Sequence, residues 1–561
     1  MEIIKVERIA SKGLAMGKAL LVVKTMLVAD NYVSADQDRE LEIYDGAVKR
    51  AAEKLEKQAQ TSAIFAGHLE LVKDIALQQG VADKIHAGQN AQQALVQTVD
   101  EYKAVFEAMD DEYMRERAAD IVDVRDRLLR EIKGIEELSL AGLEKDTILV
   151  ARDLTPSDTA SIDFDNVRGF ITEEGGVTSH VSIIARNHCV PAFVGISSIM
   201  DKIQNQQEII LDAVDGYIIL QPDQDIKDAY CQKMKEYEKQ QSELEKNAIQ
   251  VAETKDGHCV QVCANVGNLQ DIDQAVKKGI DGIGLFRSEF LYMENTHFPS
   301  EEEQFAAYKN AVEQVGKEVI IRTLDIGGDK ALSYYDWDME ENPFLGWRAI
   351  RVCLTKTDIF KTQLRALLRA SAYGKISIMY PMIISLDELR QANELLDECK
   401  EELRKEQIPF DEKIRTGMMM ETPAAVLLAE EFAKKVDFFS IGTNDLTQYM
   451  LAVDRGNTKI SALYDSFHPA VIRSIATIIS AGHKAGIPVG MCGEFAGDER
   501  AIRLLLGLGL DEFSVNSGSV ALVKHMIRNS ILTKCQTLAQ KVLKETTAEA
   551  IRDCVEAEEW K

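Results

Sequence analysis

The sequence predicts a multidomain α/β protein: a small α/β domain interrupted by a helical bundle, then a linker helix, then a C-terminal TIM (β/α)8 barrel. Three observations predict it. Residues 34 to 135 contain no proline and little glycine, and carry Ala, Glu, Lys, Gln and Leu at helical spacing. Residues 223 to 251 form a charged run without glycine. From Glu253 onward, about eight strand-like runs alternate with helical stretches, in a segment near the ~250 residues usual for a TIM barrel. A doubly wound parallel sheet is the second reading of that segment.

Taken in order, residues 1 to 25 read as short strands and turns around Gly13 and Gly17, ending in Ala19-Leu20-Leu21-Val22-Val23. Residues 26 to 142 form the insert, about four helices with Leu41, Ala47, Ala51 and Leu55 on one face and Gly67-His68 at a helix junction. Strand signals return over residues 143 to 222: Thr147–Val150, Gly169–Thr172, Ala192–Gly195 and Glu208–Leu211. Residues 1–25 and 143–222 are therefore read as one domain bracketing the insert. Residues 223–252 are the linker helix, and 253–561 the barrel. Its strand candidates are Val260–Val266, Gly282–Phe290, Val319–Ile326, Ile376–Met382, Thr416–Glu421, Phe438–Asn444, Pro488–Gly493 and Glu512–Asn516.

A chain of 561 residues is too long for one ordinary domain. The net charge of −27 argues against nucleic acid and against an anionic membrane surface, both of which need Lys and Arg patches. Nine cysteines are scattered without a C-x-x-C pair, which disfavours zinc ribbons and redox motifs and points to a reducing compartment. No signal-peptide core follows Met1, and no apolar run approaches the ~20 residues of a membrane span. The expectation is a soluble cytoplasmic protein.

Two features carry chemistry. Gly175-Gly176-Val177-Thr178-Ser179-His180 reads as a tight glycine turn into a helix start, with Thr178 and Ser179 as capping hydroxyls. There a neutral imidazole can act as a nucleophile and the helix start can stabilise an anion on it. The competing reading is a capped helix whose histidine merely packs. Second, polar residues gather at the ends of the predicted barrel strands: Arg287, Arg322, Asp325, Glu421, Asn444, Asp445 and Cys492, with Lys330, Arg348 and Arg455 on the loops that follow. A TIM barrel places its site at those ends. Arg287, Arg322, Arg348 and Arg455 suit a small multiply charged anion, and Lys330 adds a point charge. Glu421 and Asp445 suit Mg²⁺ completed by substrate oxygens, and Cys492 can deliver a proton. The competing reading is a set of rim salt bridges. Arginines, a magnesium site and a histidine acceptor together fit phosphoryl transfer.

These stretches resemble Enzyme I of the phosphoenolpyruvate-dependent sugar phosphotransferase system. The matching segments are Gly175–His180, Gly284–Met293, Arg322–Lys330, Asn342–Arg348, Glu421–Ala425 and Gly442–Tyr449, and the likeness covers essentially the whole chain. It implies a phosphohistidine α/β swivel domain in which His180 takes the phosphoryl group of phosphoenolpyruvate. His180 would then pass it to the histidine-containing phosphocarrier protein. It implies phosphoenolpyruvate ligands at Arg287, Arg322, Asn444 and Arg455, with Arg348 and Lys330 in matching motifs. It implies Mg²⁺ on Glu421 and Asp445, and Cys492 as proton donor to the enolate. The helical insert would dock the phosphocarrier, and the barrel would form a homodimer.

Two positions depart from the family pattern: Val177 stands where a basic residue is usual, and Lys12 where proline is common. A pyruvate,phosphate dikinase or phosphoenolpyruvate synthase needs a further nucleotide-binding domain, for which the chain has no room. A nitrogen-regulatory Enzyme I paralogue and a non-catalytic signalling protein on the same fold are the remaining alternatives.

Overall fold

Strands on either side of the helical insert are neighbours in one sheet. In the computed structural model, β3 (Leu14–Val22) pairs in parallel with β4 (Thr147–Ala151), Lys18 opposite Thr147 and Val22 opposite Ala151. Described are all residues except 7, 23–26, 28, 35, 59–62, 109–111, 136–139, 141, 155, 160–161, 177–178, 189, 294, 328–331, 333, 336, 338–339, 458 and 559–561. Two compact units emerge, Met1–Lys239 and Gln240–Lys561.

The first unit contains a sheet of β1 (Glu2–Lys5), β2 (Ile9–Ser11), β3, β4, β5 (Val167–Thr172), β6 (Ala192–Phe193), β7 (Glu208–Asp212) and β8 (Tyr217–Leu220), in the order β1-β8-β7-β3-β4-β5-β6-β2. β4 lies inside it and is buried along its whole length. Its side chains alternate between two cores: Ile148 and Val150 pack with Ile209 and Leu211, whereas Leu149 and Ala151 pack with Phe170 and Val181. Sequence reading missed β8, which pairs antiparallel with both β7 and β1.

Among the described residues the insert forms five helices where about four were expected: α1 (Gln37–Gln58), α2 (Ala63–Lys73), α3 (Ile75–His86), α4 (Ala91–Ala108) and α5 (Glu112–Lys133). The additional break is Asp74, whose carboxylate accepts the Leu77 amide at 2.7 Å and starts α3 one residue after α2 ends. Ala47, Ala51 and Leu55 are fully buried, on the face their spacing predicts. Gly67 and His68 lie inside α2 and not at a junction. His68 is 1% exposed, edge-on to Phe65, with its Nε2 3.5 Å from Asp120 Oδ1.

Three short helices follow, α6 (Pro156–Thr159), α7 (His180–Asn187) and α8 (Ile199–Lys202), and then the long α9 (Gln224–Ala248). The start of α9 is tied down by Asp212, which has no exposed surface. It accepts Lys233 Nζ at 2.5 Å and Tyr230 Oη at 2.9 Å, and the Val214 and Asp215 amides.

In the second unit, β9 (Ala252–Glu253) flanks eight parallel strands: β10 (Cys259–Val266), β11 (Ile283–Arg287), β12 (Val319–Arg322), β13 (Ile376–Tyr380), β14 (Arg415–Met420), β15 (Phe438–Ile441), β16 (Val489–Met491) and β17 (Glu512–Val515). β10 pairs with both β17 and β11, so the sheet closes into the expected barrel and the doubly wound alternative fails. Most strands are shorter than predicted, because the polar residues at their ends leave the ladder and begin helices or loops. No helix among the described residues is long and apolar enough to cross a membrane.

Candidate active site

In the first unit, His180 is the opening residue of α7, as the glycine turn predicts. Gly175 has φ +90°, a conformation that favours glycine. Ser179 occupies the N-cap position but makes no capping hydrogen bond; its Oγ lies 3.0 Å from Ser182 Oγ instead. Ser182, fully buried, donates to the Gly176 carbonyl at 2.7 Å and so ties the first turn of α7 to the glycine turn. The expected Thr178 cap and the Val177 departure lie outside the described residues. Only the backbone of His180 is described. Seven residues on, His188 stacks flat on Phe164 at 3.7 Å, and burial holds its imidazole below the usual range.

In the barrel, strand periodicity explains why the polar residues share one rim. The interior is filled by Leu285, Ile320, Met379, Met419, Phe438 and Cys492. Side chains alternate along a strand, so the residue two steps beyond an interior one also faces inward, one layer higher. Two beyond Leu285 is Arg287, two beyond Ile320 is Arg322, and two beyond Met419 is Glu421. Cys492 is itself an interior residue, one position beyond the end of β16. Asn444 and Asp445 enter through the first turn of the helix Thr443–Leu451, which begins directly after β15.

The rim arginines divide into two kinds. Arg322 is 7% exposed, with one guanidinium nitrogen 2.7 Å from Glu289 Oε1 and another 2.9 Å from Asp325 Oδ2. Burial opposes its charge, but Asp325 and Glu289 outweigh that and hold it firmly protonated. Arg348 is 1% exposed and reaches Asp325 Oδ1 at 2.9 Å. Its backbone bridges to Gly327, where a side chain would collide with the Arg348 Cβ at 2.2 Å. For these two the salt-bridge reading is the structural fact. Arg287 and Arg455 differ. Among the described residues, Arg287 is exposed and forms no ion pair, and the Arg455 side chain pairs only with Asp445 Oδ1, at 3.5 Å. Lys330 lies outside the described residues.

Glu421 is 1% exposed and accepts the Met382 amide at 2.6 Å. Burial first, then the charges of Asp445 and Asp325, push its carboxyl well above the usual carboxylate range. Asp445 is 7% exposed, and its buried Oδ1 accepts no hydrogen bond from the described residues; the Arg455 contact is too long for one. No cluster of three or more metal-ligating side chains occurs among the described residues. Two adjacent carboxylates, one with an unfilled buried oxygen, nevertheless match a divalent cation that draws its other ligands from substrate and water. Cys492 is 4% exposed and its thiol contacts the Ile441 carbonyl at 3.9 Å. Burial raises it to about 11, so at neutral pH it holds its proton.

Sequence reading missed the supports of this rim. Asn265 on β10 accepts Ser514 Oγ at 2.7 Å and donates to the Cys492 carbonyl at 2.9 Å. Tyr449 Oη donates to the Phe344 carbonyl at 2.5 Å and contacts Arg348 at 3.5 Å. Asn444 Oδ1 accepts the Glu494 amide at 3.1 Å, and Tyr464 Oη donates to the Asn444 carbonyl at 3.0 Å. Asn265 sits at a strand end and could have been found by the same rule; the tyrosines carry no such signal.

Known proteins share this organisation. Three family profiles match: "PEP-utilising enzyme, N-terminal" over residues 8–117, "PEP-utilising enzyme, mobile domain" over 143–216 and "PEP-utilising enzyme, PEP-binding domain" over 241–531. The chain is 44% identical over 553 residues to the phosphoenolpyruvate-protein phosphotransferase of Bacillus sp. (strain S), covering 97% of this chain and 96% of that protein. It is 44% identical over 561 residues to that of Haemophilus influenzae, covering 98% of each. It is 43% identical over 553 residues to that of Bacillus subtilis, covering 97% of each.

Proposed function

From the premise that the chain belongs to the phosphoenolpyruvate-protein phosphotransferases, Enzyme I of the sugar phosphotransferase system, we propose how its residues divide the work. The enzyme transfers the phosphoryl group of phosphoenolpyruvate through a histidine of its own to the histidine-containing phosphocarrier protein, releasing pyruvate. His180 is the acceptor: a ring nitrogen attacks phosphorus, the bond to the enol oxygen breaks, and the start of α7 receives the charged group. Arg287 and Arg455, the two arginines not committed to short ion pairs, bind the substrate's anionic groups directly. Arg322 contributes charge from a fixed position, and Arg348 holds Asp325, which holds Arg322. Asn444 orients substrate from the helix start. Lys330 belongs to the same loop set by sequence.

Glu421 and Asp445 would hold Mg²⁺, whose positive charge would offset the negative charge that develops on the substrate. Cys492, protonated at neutral pH, gives its proton to the enolate carbon, and the thiolate regains one from solvent. The α/β domain swivels so that His180 meets the substrate and then the carrier. The helical insert receives the carrier, the barrel forms a homodimer, and the enzyme works in the cytoplasm.

The observation that carries this reading is the alternation that sets Arg287, Arg322, Glu421 and Cys492 on one barrel rim. The test is incubation with labelled phosphoenolpyruvate and Mg²⁺, followed by a panel of phosphocarrier proteins, with pyruvate measured. Acid-labile label should appear on wild type, be absent from His180→Ala, and pass to a sugar-system carrier. Label retained by His180→Ala would reassign the acceptor. Transfer only to a nitrogen-regulatory carrier would reassign the pathway. Full turnover by a form cross-linked between the two units would end the swivel proposal.

A further inference from the structure

The barrel has a second opening, at the end opposite the rim. A cavity of about 660 Å³ lies among the N-terminal ends of the barrel strands, from Gln261 on β10 to Glu512 on β17. That volume is within the ~300–1,000 Å³ typical of small-molecule sites. Barrel interiors are usually closed at this end by branched apolar side chains. Here Glu512 points inward from β17 across from two glycines; side chains at Gly284 and Gly490 would meet its Oε1 at 2.3 and 3.1 Å. Oε1 is enclosed and accepts no hydrogen bond from a nitrogen or oxygen of the described residues, and the Cys263 thiol hydrogen-bonds the Glu512 carboxyl.

The other charges of the cavity wall are already matched. Glu318 accepts Lys375 Nζ at 2.5 Å, Arg415 at 2.8 Å and Ser377 Oγ at 2.6 Å. Asp281 accepts the Val262 amide at 2.9 Å and Lys524 Nζ at 3.3 Å. Asp511 accepts the Val489 amide at 2.8 Å and contacts His483 Nε2 at 2.9 Å. Glu512 differs in having no ion-pair partner among the described residues, only the weak Cys263 thiol donor, and around it the wall is apolar at Val260, Ile320, Phe438 and Pro488.

We propose that this mouth of the barrel is a binding site for a small organic ammonium with an apolar body, held by Glu512 and distinct from the phosphoenolpyruvate site. An anion is disfavoured because Lys375 and Arg415 are both engaged by Glu318. Burial and the charge of Glu318 lift the Glu512 carboxyl to about 7; Cys263 and Arg415 act the other way, and Asp511 raises it further. A bound cation favours the carboxylate, so affinity rises from pH 6 to pH 8 and binding releases protons.

Titration calorimetry with benzylammonium, benzyl alcohol and benzoate tests the site on the full chain. Benzylammonium should bind wild type, and Glu512→Gln should bind it about tenfold or more weakly, the effect of losing one charged hydrogen bond. Hydrogen exchange on wild type should show protection by benzylammonium at residues 259–261, 318–320, 438–440 and 488–490. Glu512→Gln should still be phosphorylated by phosphoenolpyruvate. Equal affinity in Glu512→Gln, equal binding of benzoate, absence of binding, or protection confined to the opposite rim would each overturn the proposal.

Discussion

Arg348 and Asp325 form a buried ion pair, 2.9 Å between guanidinium and carboxylate, 1% and 2% exposed respectively. The other oxygen of Asp325 faces Arg322, so one carboxylate sets the position of two arginines. Breaking a buried pair by removing one partner costs about 3–5 kcal/mol, because the remaining charge stays enclosed. Arg348→Met should therefore lower barrel stability by that order. Arg348→Met combined with Asp325→Asn should recover part of it, with a coupling of about 1–3 kcal/mol in a double-mutant cycle. Phosphorylation should stay impaired in the double variant, because Arg322 has lost an anchor. Independent, additive effects in urea unfolding would mean that the pair is not coupled.

The Ser182 hydroxyl donates to the Gly176 carbonyl beneath the first turn of α7. The Gly176 residue is exposed and its carbonyl also accepts the Ser179 amide at 2.9 Å, so removing the hydroxyl loses one hydrogen bond of about 1 kcal/mol. Ser182→Ala should loosen the turn that presents His180. It should slow phosphorylation of His180 while leaving phosphoenolpyruvate binding to the barrel unchanged. Rapid-quench phosphorylation and equilibrium binding separate the two; a change confined to binding would contradict this role.

Much of the barrel rim is legible in the sequence, because a charged residue one step past an apolar strand must either reach water or be matched. That argument finds Arg287, Arg322, Glu421 and Cys492 and the fold that groups them. It does not tell which arginines are free. Arg322 is matched by Glu289, and Arg348 by Asp325 across a loop, through pairings between different strand ends that residue spacing does not encode. The bundle shows the same limit: Asp74 sits in an unbroken helical pattern, yet its carboxylate caps a new helix. β8 was missed because Tyr217–Leu220 is a four-residue apolar run directly before the charged stretch of α9.

Cys492 keeps its proton at neutral pH because burial raises its thiol to about 11. If it is the acid that quenches the enolate, Cys492→Ala should slow pyruvate formation by about 10²-fold or more, the range of general acid catalysis, with little change in phosphoenolpyruvate affinity. The same burial should protect it from iodoacetamide at pH 7.5, whereas the exposed Cys231 and Cys259 should react. Mass spectrometry of the alkylated protein and steady-state kinetics read these outcomes. Unchanged turnover in Cys492→Ala would remove it from the acid role.

Glu512 gives the barrel a pH dependence separate from the rim. Its carboxyl stands at about 7 in the fold against an ordinary value of 4.5. Between those values the folded state holds a proton that the unfolded chain has released. The contribution to stability is therefore complete below pH 4.5, and is lost as pH rises through about 7. With some solvent reaching this residue, the loss is about 2 kcal/mol by pH 8. Glu512→Gln removes the ionisation. The variant and wild type should be equally stable near pH 4.5, and the variant should be more stable by about that amount at pH 8. Trp337 and Trp347 both lie in the barrel unit, so urea unfolding followed by tryptophan fluorescence reports it. A stability difference that stays constant from pH 4.5 to pH 8 would mean that Glu512 does not titrate in the fold, and that its unfilled oxygen is matched in solution by water.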